Sequence, residues 1–211
     1  MRALSTAMPR SLALAVMIAL LSAQSVVVHA ADLPPRPIAS PANPWVSVPA
    51  PSLYDPQRFE LRAGVLGEVL GAEKGTVGVN AELLFPRFFV IPVLPELFTP
   101  RLHVGVVAHT SHGTSFVYAG ATWTHYYTER IFGELYFGAT WHNGQLYYYD
   151  PNRNALGCRV LFHVGVNHGY RFDQHWSVML TLDHSSAGTV LTGCRANESL
   201  NQVGVKVGYQ F

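Results

Sequence analysis

The last twelve residues, Leu200-Asn201-Gln202-Val203-Gly204-Val205-Lys206-Val207-Gly208-Tyr209-Gln210-Phe211, change character at almost every step. Val203, Val205, Val207, Tyr209 and Phe211 share one parity, and Gln202, Gly204, Lys206, Gly208 and Gln210 share the other. Successive side chains of a strand point to opposite sides of the sheet, so this is a strand with one apolar and one polar face. A soluble barrel turns the apolar face inward, whereas a barrel in lipid turns it outward and fills its interior with the polar face. Deciding which face is the interior therefore decides the fold.

Upstream the same alternation recurs. Phe59, Leu61, Ala63, Val65 and Val69 alternate with Glu60, Arg62 and Glu68, and Val77, Val79, Ala81, Leu83 and Phe85 are set against Asn80 and Glu82. Further alternating segments cover residues 101–110, 115–125, 130–142, 158–170 and 175–186. With the last strand that makes eight, each of about ten to thirteen residues, the length that crosses a bilayer at a tilt. From Arg58 onward no window holds the roughly eighteen consecutive apolar residues of a transmembrane helix. Only 13% of residues are charged, against about 25% in a soluble domain, and a net charge of +1 excludes an electrostatic nucleic-acid binder. A chain that closes on an aromatic, with a second two residues before it, resembles the C-terminal strand of bacterial outer-membrane barrels. The reading is all-β: an eight-stranded antiparallel up-and-down transmembrane β-barrel, with Lys206 and Gln202 facing inward.

The barrel occupies residues 57–211, behind two segments of another kind. Arg2 and Arg10 precede an apolar run at residues 12–21, and Val28-His29-Ala30 supplies the small residues of a cleavage site, so residues 1–30 read as a signal peptide with Ala31 as the mature N-terminus. Cleavage removes two of the 14 basic residues and none of the 13 acidic ones, which leaves a net charge of −1. Residues 31–56 are rich in proline, which cannot feed a sheet ladder, and read as a periplasmic lead-in. With both ends of the barrel periplasmic, residues 70–75, 111–114, 143–157 and 187–199 form the outside connections, and residues 128–130 and 172–175 form short periplasmic turns. Residues 86–99, apolar but carrying Pro86, Pro92 and Pro95, break the pattern; a periplasmic plug and a membrane-edge loop both suit them.

The outside connections carry the chemistry. Cys158 and Cys194 fall in or beside the third and fourth of them, and export makes a disulfide between them the expectation. Trp176, Val178, Leu180 and Leu182 continue into His184 and Ser186 on the same, lipid-facing side of the seventh strand. Polar groups facing hydrocarbon cost free energy unless they have partners or a task. A histidine and a serine two residues apart on one face are the ingredients of a base and a nucleophile, with rim residues bonded to headgroups as the bland alternative. The other histidines lack metal-ligand spacing, no phosphate loop is present, and no metal or cofactor is expected. Tyr147, Tyr148, Tyr149 and Trp141 read as part of an interfacial aromatic girdle.

Asp183-His184-Ser185-Ser186-Ala187-Gly188, the loop sequence Asn197-Glu198-Ser199-Leu200-Asn201 and the ending Gly208-Tyr209-Gln210-Phe211 together resemble the lipid A 3-O-deacylase (PagL-type) family. The resemblance implies an outer-membrane carboxylic ester hydrolase acting on lipid A of lipopolysaccharide, with Ser186 as nucleophile, His184 as general base and a third group orienting the imidazole. Two residues compete for that third place. Glu198 has the family's spacing from His184 and a charge, which favours it slightly; Asn201 has the outward parity of the last strand. The family's Asn after the serine, an oxyanion donor, is Ala187 here, which leaves the backbone amides of Ala187 and Gly188 as substitutes. The alternative is a weak or inactive barrel with a structural or binding role. The sequence leaves a homodimer open.

Overall fold

The computed structural model describes residues 53–88, 99–110, 112–188, 193–194 and 198–211. The signal peptide, most of the proline-rich stretch and residues 89–98 of the atypical segment lie outside these. Eight strands form: β1 Glu60–Glu68, β2 Val77–Leu84, β3 Arg101–His109, β4 Phe116–Tyr126, β5 Ile131–His142, β6 Val160–Arg171, β7 Trp176–Ser186 and β8 Leu200–Gln210. Each pairs antiparallel with the next, and β1 pairs with β8, so the sheet closes on itself. Closure leaves no strand edge unpaired, the condition under which backbone amides can cross hydrocarbon.

The alternation in β8 decided the matter in the expected sense. Lys206 is 1% exposed while its neighbours Val205 and Val207 are 50% and 44% exposed. In β1, Arg62 is likewise buried between exposed Leu61 and Ala63. The interior is charged and the exterior apolar, the reverse of a soluble barrel.

Two zones fill the interior. Towards the short-turn end, Arg62 donates to Glu60 at 2.8 Å, to Glu82 at 3.2 Å and to both oxygens of Glu134 at 2.8 Å. Lys206 adds a bond to Glu82 at 2.9 Å, and Arg101 and Arg171 reach Glu60. The charges of this cluster persist because each has partners of opposite sign. Towards the other end the filling turns apolar, with Leu66, Val107, Phe116, Leu156, Leu161, Ala187 and Leu200 in one cluster.

The short turns are tight hairpins. Tyr127 N–H donates to the Ile131 carbonyl and Phe172 N–H to that of Trp176, both at 2.9 Å. Asp173 caps the second turn by accepting the N–H groups of His175 and Trp176, which hold its carboxyl below the ordinary range. Tyr54, inside the stretch read as lead-in, is buried against Tyr126 with ring centroids 4.9 Å apart, and the Arg171 guanidinium lies 5.4 Å from its ring. Contacts with the barrel thus begin before residue 57.

At the opposite end, the four connections are knitted together. Glu73 accepts Thr114 N–H at 2.6 Å and Asn154 N–H at 3.2 Å, and Asn154 in turn donates to the Ser199 carbonyl at 3.3 Å. This end carries the candidate site.

One interior contact under β7 makes a prediction. A Cβ on Gly165 would meet the Tyr136 hydroxyl at 2.1 Å and the Leu182 carbonyl oxygen at 2.4 Å. Tyr136 rests there to donate towards Leu182 O and Asp183 Oδ2, both at 3.3 Å. Gly165→Ala is expected to destabilise the barrel by about 1–3 kcal/mol, read as a lower urea midpoint for the folded, heat-modifiable species.

Candidate active site

Burial alternates along β7 up to its end: Asp183 and Ser185 are buried and face the interior, while His184 and Ser186 are partly exposed on the outside. The backbone pairs His184 with Asn201 of β8. The amide and carbonyl of Asn201 both point to β1: its carbonyl accepts Val69 N–H at 2.9 Å, and its N–H donates to Glu68 Oε1 at 2.6 Å. His184 and Asn201 thus form a non-hydrogen-bonded cross-strand pair, the kind whose side chains lie closest. Their side chains meet, with His184 Nδ1 2.8 Å from Asn201 Oδ1.

This contact fixes a tautomer. An amide oxygen can only accept, so Nδ1 carries the proton and Nε2 keeps its lone pair. The amide's orientation is set from the other side, because Asn201 Nδ2 donates to Ser199 Oγ at 2.7 Å. Ser186 lies across from Phe162 of β6. The described residues include no hydrogen bond between Ser186 and His184. Residues two apart on one strand face stand roughly 7 Å apart, and a nucleophile–base contact that is loose without substrate is ordinary.

Glu198 goes elsewhere, contrary to the slight preference its spacing suggested. Its Oε2 accepts Ala155 N–H at 2.7 Å, its own N–H donates to the Ala155 carbonyl at 3.0 Å, and its Oε1 accepts the Tyr148 hydroxyl at 3.0 Å. That last bond raises the Tyr148 phenol above its usual range. Glu198 lies before the first residue of β8, where no ladder aims it at β7; three residues on, the strand register aims Asn201.

Ala187 and Gly188 follow the serine directly. Ala187 is fully buried in the apolar cluster. Gly188 has φ +58°, a left-handed conformation that turns the chain out of β7 and that glycine adopts at little cost. Cys158 and Cys194 are joined, with Cα atoms 5.7 Å apart, and tie the connection after β5 to that after β7. Tyr147, Tyr148 and Tyr149 stand exposed on the former. Among the described residues no group of three or more His, Cys, Asp or Glu could hold a metal ion.

Sequence reasoning passed over Glu68 and Ser199, which hold Asn201, and the interior set behind the motif, in which His163 Nδ1 lies 3.0 Å from Ser185 Oγ and 3.3 Å from Asp183 Oδ1. The inward parity of Glu68 was readable. Its position against Asn201 depends on closure between the first and last strands.

A closed antiparallel barrel, apolar outside and charged inside, defines an outer-membrane barrel, and the polar pair on its outer face is a candidate site at the lipid boundary. The model of the lipid A 3-O-deacylase (PagL) family matches residues 100–210, more than half of the chain, and the chain belongs to that family. Its place is the bacterial outer membrane. Among solved structures, the outer membrane enzyme PagL matches with a TM-score of 0.53 at 14% identity, over 71% of this chain and 97% of that one. The N-terminal β-barrel domain of Pseudomonas aeruginosa OprF matches with a TM-score of 0.48 at 11% identity, over 74% and 98%. A de novo designed transmembrane β-barrel matches with a TM-score of 0.48 at 12% identity, over 75% and 98%. No curated protein matches the chain.

Proposed function

We propose that the chain hydrolyses the 3-O-linked acyl ester of lipid A, with Ser186 as nucleophile, His184 as general base and Asn201 as the group that orients the imidazole. The observation that carries this reading is the 2.8 Å contact between His184 Nδ1 and Asn201 Oδ1 on the lipid-facing side of β7, two residues before Ser186. It leaves Nε2 as the atom that takes the serine proton when Oγ attacks the ester carbonyl. The imidazolium then returns that proton to the departing 3-hydroxyl, leaving an acyl-serine. Water, deprotonated by the same Nε2, releases the fatty acid and restores the serine.

An amide in third place keeps the tautomer but lends no negative charge to the imidazolium, which sets a slower rate than a carboxylate there would. The position after the serine, where the family carries an oxyanion-binding asparagine, is Ala187 here. One absent side-chain donor costs about 10²- to 10³-fold. Substrate reaches the site from the outer leaflet without leaving lipid, since the pair faces outward.

The test is release of fatty acid from lipid A in detergent by the purified full chain. Asn201→Ala is expected to lower kcat by about 10²-fold with KM little changed, and Glu198→Ala by less than about threefold. The opposite ranking would return the third place to Glu198. No release by the wild type would remove the enzyme reading.

A further inference from the structure

We propose that Glu68 is a positioning residue for this active site, holding from inside the barrel the main chain that carries Asn201. The inference rests on the Ser186, His184 and Asn201 reading above. The ladder between β1 and β8 runs as far as the pair Glu68 and Gln202. One step on, Val69 N–H still donates to the Asn201 carbonyl at 2.9 Å, as an antiparallel ladder requires. The return bond goes to a side chain: Asn201 N–H donates to Glu68 Oε1 at 2.6 Å. The side-chain carboxyl oxygen thus takes the place of a strand carbonyl where β1 ends.

The neighbourhood makes this an unusual site for a carboxylate. Glu68 is 2% exposed, and among the described residues its second oxygen, Oε2, is buried without a hydrogen-bond partner. Arg62 and Lys206 are committed to Glu60, Glu82 and Glu134. A buried carboxyl group with few partners costs stability, and the hydrogen bond that Oε1 makes at 2.6 Å is to the backbone of the residue whose side chain accepts from His184. Asn201 is gripped at four points: its carbonyl by Val69, its N–H by Glu68, its side-chain amide by Ser199, and its side-chain oxygen by the histidine itself. Releasing the N–H frees the first residues of β8 to shift. A displacement of about 1 Å at such a group is worth up to 10²-fold in rate.

The experiment uses the full chain in detergent with lipid A, and reads kcat, KM and the ¹⁵N resonance of His184 Nδ1. Glu68→Met, of similar length but with no acceptor, is expected to lower kcat by about 10- to 100-fold with KM within about twofold of wild type. The Nδ1 resonance should lose the signature of a single bonded tautomer. Glu68→Gln, which keeps an acceptor oxygen, should recover most of the rate. In an Asn201→Ala background Glu68→Met should cost little more, since the group it positions is gone. An equal loss in both backgrounds, or an unchanged Nδ1 resonance, overturns the proposal. If Glu68→Met does not assemble, Glu68→Asp decides: withdrawing the oxygen by one methylene should lower kcat without raising KM, and an unchanged kcat overturns it. Inactivity of the wild type would instead strike the hydrolase reading, which the Nδ1 resonance does not depend on.

Discussion

Arg62→Met is expected to keep the chain from assembling as a barrel. Arg62 is 1% exposed and binds three carboxylates, from β1, β2 and β5, by four hydrogen bonds of 2.8 to 3.2 Å. Methionine fills much of the volume but leaves Glu134 with Thr124 and Asn167 as its donors, and Glu82 with Lys206 and Tyr118. Breaking a buried pair by removing one partner costs about 3–5 kcal/mol, a large share of the 5–15 kcal/mol that holds a typical domain. Here one cation serves three anions. The check is the heat-modifiable gel shift after refolding into detergent: the variant should run only as the unfolded form. A variant with the wild-type urea midpoint would show that the interior ion cluster does not hold the barrel together.

His184→Ala should leave the barrel intact and remove the activity. The ring is partly exposed on the outer face and its hydrogen bond is to Asn201, so little of the packing depends on it. Without the imidazole, serine has no base to take its proton, and kcat is expected to fall by about 10⁴-fold or more, as for loss of a triad member. The gel shift and urea midpoint should match those of the wild type. A loss of less than about tenfold would mean that another group activates Ser186, or that the chemistry lies elsewhere.

The fold was legible because period two survives any change of surroundings. Residues 200–211 announce one apolar and one polar face, and the buried Lys206 beside exposed Val205 shows which is inside. Strand ends followed nearly to the residue where turns are short, as at β6 and β7. The His184 and Ser186 pair was legible for the same reason, since parity alone put both on the lipid side. The proposed third member was not, because two rulers disagreed. Distance along the chain pointed to Glu198 and strand parity pointed to Asn201. Cross-strand register brings Asn201 opposite His184, whereas Glu198 is still in the connection, where Ala155 and Tyr148 occupy its carboxylate. Glu68 needed more still, because its role arises where the first strand meets the last, contacts separated by 133 positions.

The most direct test is the mass spectrum of lipid A from cells making the wild type and from cells making Ser186→Ala. The wild type should yield lipid A lighter by one ester-linked acyl chain, lost from the 3-position and no other, while Ser186→Ala, folded and inserted in equal amount, should leave the lipid unchanged. The same loss in both strains, or in neither, would contradict the assignment of lipid A deacylation to Ser186.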